Sequence, residues 1–376
     1  MKDFINIGGN LKAAVLYEVG KPLEIKDLII DKPKEGEVLV TMKAAGVCAS
    51  DHHVIHGQIP YPTPIVLGHE NAVIVEEIGP NVTNVKPGDS CITSFVSSCS
   101  ECDYCRTGLG NHCSRHYSDP NTQHRQFDGT FRIKDSDGTE IYQMNKLGGF
   151  AEQQIVPASS LLVIPKEVPP EVAALIGCCV TTGLGGIVNL DNIKAGSTVA
   201  VFGCGGVGLN IVQGAKMLNC LKVIAVDIFD HKLEFAYKFG ATDVINAKSE
   251  DPVEKIRDIT GGGVDYSFDS FGSPAIMKQA VESLAKRGTA ALVGLASPSS
   301  DVDINMVDLV RNEKNILGSF YGYGSPLVTM KKIVDMYLSG KVNIDDLVRK
   351  VFKLEEINEA FEDIDKGEDG RGVIIF

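Results

Sequence analysis

The chain has 376 residues, 44% of them hydrophobic and 39 of them glycine, which is enough for about two domains of ~100–200 residues each. Its 36 basic and 49 acidic side chains give a net charge of -13, which repels phosphate backbones and anionic lipid and so excludes nucleic acid and membrane surfaces as partners. The start, MKDFINIGGN, has neither a basic segment nor an apolar run, and no stretch approaches ~18 uninterrupted apolar residues, so a soluble cytoplasmic protein with reduced cysteines is expected.

From Lys12 to about Ile92, short runs such as AAVLYE, EVLVTMKAAGV and NAVIVEEIG alternate with turn signals (KPKEGE, IPYPTP, IGPNVTNVKPGDS) and predict many short strands. The polar stretch from Ser114 to about Leu147, with its DPNTQ, FDGT and DSDGT turn clusters, predicts an excursion holding little more than a hairpin. After Gly196 strand and helix alternate: STVAVFG, KVIAVD, DVIN, VDYSFDSFG, GTAALVGL and NILGSF are about six apolar strands separated by helical patterns, as in a doubly wound parallel sheet. The tail, with helical SPLVTMKKIVDMYLSG and LEEINEAFEDI and a terminal GVIIF strand, is expected to return to the first domain.

In VFGCGGVGLN, Gly203, Gly205 and Gly208 stand in G-x-G-x-x-G spacing between a strand and a helix, where a tight turn, close approach to a pyrophosphate and strand–helix packing each need glycine. Gly206 and Val207 complete that turn. Asp227, 19 residues beyond Gly208 at the end of the next strand, is placed to accept the ribose hydroxyls of NAD and to repel the extra phosphate of NADP. A glycine turn that binds nothing, with Asp227 as a helix cap, is the other reading.

CSECDYCRTGLGNHC places Cys99, Cys102, Cys105 and Cys113 in one fifteen-residue window. Four thiolates complete a tetrahedron around zinc and leave no open position, so the spacing predicts a closed, structural site; free or disulfide-bonded cysteines are the alternative. Cys48, His69 and Cys178 would make a chemically sensible open zinc site, but they lie far apart in sequence. Spacing alone leaves them as ordinary core residues.

The segments GVC-x-S-D, GHE, the C-x2-C-x2-C-x7-C lobe, LIGC-x3-TG and VFG-x-GGVG followed by VD together resemble the zinc-containing medium-chain alcohol dehydrogenases, essentially from end to end. The resemblance implies an α/β protein: a chaperonin-10 (GroES)-like β-rich catalytic domain over residues 1–179, with the cysteine lobe at about 97–115, a Rossmann domain with a six-stranded parallel sheet over 180–320, and a return to the catalytic domain over 321–376. It implies two zinc ions per chain and NAD, a small alcohol or aldehyde as substrate, and a homodimer, joined through the NILGSF edge strands, with a tetramer as the alternative.

Position by position, the resemblance makes Cys48, His69 and Cys178 ligands of a catalytic zinc, with Glu70 a carboxylate able to approach the metal. Asp51 would orient the ligand histidine. Ser50 and His53 would form a proton relay to solvent, with His52 the competing histidine. Thr182 and Val207 would contact the nicotinamide, Lys232 the adenosine ribose, Arg371 the pyrophosphate, and Phe95 would wall the substrate pocket.

Two departures carry expectations. Ala49 stands where many relatives have a basic residue gripping the pyrophosphate, which predicts looser NAD binding. Ser50 in place of a threonine leaves room beside the zinc and favours bulky or aromatic alcohols. A glutathione-dependent formaldehyde dehydrogenase is the second reading, and a non-catalytic, zinc-stabilised NAD sensor is the alternative from another class.

Overall fold

Strands Ile7–Leu16, Glu24–Asp31, Ile133–Lys134, Glu140–Gln143 and Ile65–Val66 close, in that order, into a small barrel. The structure is a computed structural model that describes residues 7–118, 123–190 and 193–376. The hairpin expected between Ser114 and Leu147 is Ile133–Lys134 with Glu140–Gln143, but it is no appendage. It pairs with Glu24–Asp31 on one side and Ile65–Val66 on the other, partners so far upstream that no local pattern reveals them. The DPNTQ cluster, apart from Gln123, and the opening MKDFIN lie outside the described residues.

Beside the barrel runs a mixed sheet in the order Leu161–Val163, Ser90–Thr93, Glu70–Ile78, Glu37–Gly46, Arg371–Ile375 and Val348–Lys353, with Gln153–Pro157 also pairing to Glu37–Gly46. The terminal GVIIF strand thus lies against the strand that leads to Cys48, with Val373 opposite Gly46. Its neighbour Val348–Lys353 has no counterpart in the sequence reading. Only Phe352 and part of Val348 are drawn inward along VRKVFK, so the apolar alternation that marks a strand is missing.

Six parallel strands form the other sheet, in the order Asp243–Asn246, Lys222–Asp227, Thr198–Phe202, Val264–Asp269, Leu284–Leu292 and Asn315–Gly318. The apolar runs of the central strands Lys222–Asp227 and Thr198–Phe202 follow from burial on both faces, since helices cover a parallel sheet on each side. The strand order reverses between Thr198–Phe202 and Val264–Asp269, which opens a crevice at the strand ends where Gly203 and Ser270 meet: Ser270 Oγ donates to the Gly203 carbonyl at 3.0 Å.

A helical stretch from Pro170 to Val188 joins the two halves. By composition it is long and apolar enough to cross a membrane, with a mean hydropathy of 1.7, but 78% of that window is buried inside the protein. Its Leu175, Ile176, Leu184 and Ile187 pack in one cluster with Val199, Val201, Leu209 and Val212. Burying each such side chain contributes ~1.5–3 kcal/mol, so the segment that carries Cys178 is held between the two halves by core packing.

Candidate active site and cysteine lobe

Three chain segments deliver the first cluster. Cys48 precedes the helix Ala49–Ile55 in extended conformation, His69 and Glu70 stand where the strand Glu70–Ile78 begins, and Cys178 sits in a widened π turn, Ile176–Val180. Such turns displace a side chain from the regular helical track and recur at functional sites. One donor atom each from Cys48, His69, Glu70 and Cys178 lies within 4.8 Å of every other. All four residues are buried.

Asp51 is fully buried; its Oδ1 accepts the Gly68 N–H at 2.9 Å and lies 3.3 Å from His69 Nδ1. That pairing sets the Nδ1 proton and turns Nε2 toward the cysteines. A hydrogen bond from Cys178 holds the Cys48 thiol well below its usual pKa against the effect of burial, with His69 and Arg371 helping. Cys178 is raised correspondingly, first by the same bond and then by burial. For His69 burial acts to lower the pKa, but Asp51 and Cys48 outweigh it and raise it. Burial pushes Glu70 up to about 7 against the pull of Arg371. Glu70 Oε1 and Asp51 Oδ2 are buried without a hydrogen-bond partner. Closely spaced thiols, an imidazole and unpaired carboxylate oxygens buried together fit a divalent cation, whose binding displaces the thiol and imidazole protons.

Arg371 ties this cluster to the glycine turn. Its Nε and Nη2 donate to the Val47 carbonyl at 3.1 and 2.6 Å, and Nη2 also donates to Glu70 Oε2 at 2.9 Å. A Cβ on Gly206 would lie 2.8 Å from Arg371 Cδ, so the turn and the guanidinium are in contact. Within the turn Gly203 has φ +96°, and a side chain at Gly208 would run into the Gly203 carbonyl oxygen. Asp227 Oδ2 accepts the Cys204 N–H at 2.7 Å, and Oδ1 accepts those of Ile228 and Phe229 at 2.7 and 3.2 Å. Lys232 Nζ lies 5.3 Å from the centre of the Phe229 ring. Thr182 Oγ1 is 4.0 Å from Cys178 Sγ, and the adjacent Gly183 packs directly on the Val207 carbonyl. Thr182, beside Cys178, and Val207, within the glycine turn, therefore mark where the metal-type cluster and the turn come together.

Ser50 and His53 lie one turn apart on the helix Ala49–Ile55, both half-buried, and His53 Nδ1 has no hydrogen-bond partner. Among the described residues no hydrogen bond joins them directly. Ala49, at the start of the same helix, is exposed.

The second cluster is Cys99, Cys102, Cys105 and Cys113, whose sulfurs all lie within 4.8 Å of one another, with none in a disulfide. Cys99 Sγ and Cys105 Sγ are 4.0 Å apart, close to the ~3.8 Å edge of a tetrahedron with Zn–S bonds of ~2.3 Å. Backbone N–H groups point at the sulfurs: Cys99 N–H at Cys113 Sγ (3.3 Å) and Cys102 N–H at Cys99 Sγ (3.4 Å). Donors so directed favour thiolate, the form that binds zinc. Asn111 fastens the lobe, its side chain donating to the Phe320 carbonyl at 2.8 Å and its N–H to the Gly324 carbonyl at 3.1 Å.

Residues 34–166 match the alcohol dehydrogenase GroES-like domain family, and residues 206–338 match the zinc-binding dehydrogenase family. The NDMA-dependent alcohol dehydrogenase of Amycolatopsis methanolica is 37% identical over 368 residues, covering 97% of this chain and 98% of the relative. The chain belongs to the zinc-dependent medium-chain alcohol dehydrogenases. S-(hydroxymethyl)glutathione dehydrogenase of Saccharomyces cerevisiae is another relative, 36% identical over 371 residues and matched over 96% of this chain and 95% of its own length. Among solved structures, benzyl alcohol dehydrogenase from Acinetobacter calcoaceticus superposes with a TM-score of 0.90 at 35% identity, over 98% of this chain and 99% of that one. This zinc alcohol dehydrogenase is thus an oxidoreductase that works with zinc and a nicotinamide dinucleotide on small molecules, and its GroES-like and Rossmann architecture is the family's.

In this dehydrogenase an aromatic wall stands over the first cluster. The Phe95 ring meets His69 edge-on at 5.6 Å between centroids and packs on Tyr321 at 3.8 Å and Phe320 at 6.2 Å. Tyr321 Oη donates to the Gly177 carbonyl at 2.5 Å, one residue before Cys178. The sequence reading singled out Phe95 but missed Phe320 and Tyr321, whose one signal is the aromatic run FYGY immediately after NILGS. Tyr61 was missed as well. Burial, then the charge of Asp51, pushes its phenol up to about 12.

Proposed function

We propose that Cys48, His69 and Cys178 hold the catalytic zinc, that Cys99, Cys102, Cys105 and Cys113 hold a structural zinc, and that the enzyme reversibly oxidises bulky or aromatic primary alcohols with NAD. The convergence of Cys48, His69 and Cys178 within 4.8 Å, beside an arginine that also touches the glycine turn, carries this reading. When bound, zinc polarises the alcohol oxygen as a Lewis acid and NAD accepts the hydride. The chain supplies the rest. Asp51 fixes the His69 ring, Thr182 and Val207 flank the nicotinamide, and Arg371 with the helix N-terminus at Gly206 receives the pyrophosphate. Asp227 and Lys232 take the adenosine ribose, and the Asp227 carboxylate disfavours NADP. Ser50 receives the alcohol proton and His53 passes it to solvent. Glu70 stands close enough to approach the metal, and Phe95 with Phe320 keeps water from the reacting carbon.

The small Ser50 hydroxyl and the likeness to a benzyl alcohol dehydrogenase support the bulky substrate class. The division into residues 1–179, 180–320 and 321–376 belongs to the same reading, and the passage of the chain from barrel and mixed sheet to parallel sheet and back supports it. The edge strand Asn315–Gly318, with exposed Ile316 and the exposed Met306, Val307 and Val310 nearby in sequence, supports a homodimer through that edge. Similarity to a hydroxymethylglutathione dehydrogenase favours a second reading, a thiol-adduct substrate. NADH absorbance across primary, secondary, aromatic and thiol-adduct alcohols decides between them: benzyl-type alcohols with the highest kcat/KM support the proposal, and a thiol adduct in first place overturns it.

A further inference from the structure

On the outer side of the helix that carries Ser50, Asp51 and His53, two further histidines face the last helix of the chain. His52 and His56 are four residues apart, and the His56 N–H donates to the His52 carbonyl at 3.0 Å, so the helical turn persists and both rings lie on one face. Their centroids are 4.2 Å apart. Across from them Asp365 ends the helix Ile357–Asp365, its Oδ1 2.9 Å from His52 Nε2. One donor atom from each of the three residues lies within 4.8 Å of the others.

We propose that His52, His56 and Asp365 form a third metal site, for a divalent transition cation such as zinc, nickel or copper. Two imidazoles and one carboxylate suit those ions, whereas magnesium and calcium demand oxygen ligands. A histidine pair at i and i+4 is the spacing by which helices present two nitrogens to one metal. The ion pair does not exhaust these groups. Asp365 is within reach of His52 Nε2, but the contact is not aligned as a hydrogen bond, and that nitrogen has no other partner. Lys366, the neighbouring cation, is engaged with Glu362 at 3.5 Å and Asp363 at 3.4 Å and does not compete for Asp365. His56 and Asp365 are exposed, which leaves the ion a path of entry. Occupation would clamp the helix Ala49–Ile55 to the helix Ile357–Asp365.

The test titrates zinc chloride into zinc-replete, desalted enzyme by calorimetry, in parallel with the His56→Ala and Asp365→Asn variants. The wild type is expected to bind one equivalent more than either variant, whatever the cysteine clusters hold, and each variant to weaken that equivalent at least ~10-fold while keeping wild-type turnover. Copper(II) at the same site is expected to show two nitrogen ligands by electron paramagnetic resonance. Equal zinc stoichiometry and affinity in wild type and both variants would overturn the proposal.

Discussion

Arg371 Nη2 donates to Glu70 Oε2 at 2.9 Å while its side chain packs against Gly206, so a single guanidinium joins the buried metal-type cluster to the dinucleotide turn. Charge-assisted hydrogen bonds to such groups contribute ~1.5–3 kcal/mol. Arg371→Met is therefore expected to weaken NADH binding roughly 10–100-fold, as read by titration of NADH fluorescence, with the zinc content unchanged. Unaltered NADH affinity would reduce Arg371 to a strut for Glu70.

Asp227 presents its carboxylate at the end of the strand Lys222–Asp227, fixed by three backbone N–H groups. Asp227→Ser replaces the carboxylate with a neutral hydroxyl and so removes the charge proposed to disfavour NADP. Its kcat/KM for NAD is expected to fall roughly 10–100-fold while that for NADP rises, on the same ~1.5–3 kcal/mol scale. The ratio of the two cofactors is the measurement, and an unchanged ratio contradicts the assignment.

The cysteine lobe is predicted to hold structure and not chemistry. Cys105→Ser should leave one zinc per chain by elemental analysis, with NADH affinity close to wild type. Losing a structural metal removes the folding free energy its binding supplies, so the thermal midpoint should fall, at ~2–4 °C per kcal/mol lost. A stable variant that has lost turnover would reverse the roles of the two clusters.

Acid stability is expected to depend in part on His124, a buried histidine outside both clusters. Burial, then the charge of Lys146, pushes His124 down to about 4, and its ring lies 4.0 Å from Tyr61. Unfolded histidine titrates near ~6.5, so between about pH 4 and 6.5 the unfolded chain binds the extra proton. Stability therefore rises with pH through that window and is lost on acidification. His124→Gln is expected to flatten the slope of thermal midpoint against pH between 4 and 6.5 relative to wild type; an unchanged slope would show that His124 is not the group.

The glycine turn, the cysteine lobe and the six parallel strands were legible locally, because each is carried by a short spacing or an apolar run. The return of GVIIF beside the strand leading to Cys48 was legible from the change of texture after the parallel sheet. Grouping Cys48 and His69 with Cys178, more than a hundred residues later, needed the family resemblance, since no local period joins them. What stayed hidden depends on long-range pairing: the barrel-closing hairpin at Ile133–Lys134 and Glu140–Gln143, the strand Val348–Lys353 with its weak alternation, and the arrival of Phe320 and Tyr321 against Phe95. Likewise the His52 and His56 spacing is visible in the sequence, but Asp365 is not visibly its neighbour.

The central claim is that Cys48, His69 and Cys178 hold the metal that turns over alcohol. It is tested most directly by measuring zinc per chain and benzyl alcohol turnover in Cys178→Ser. The account predicts one zinc fewer than wild type, turnover reduced at least ~100-fold, and NADH affinity within a few-fold of wild type. A variant that keeps its full zinc complement and wild-type turnover would contradict it.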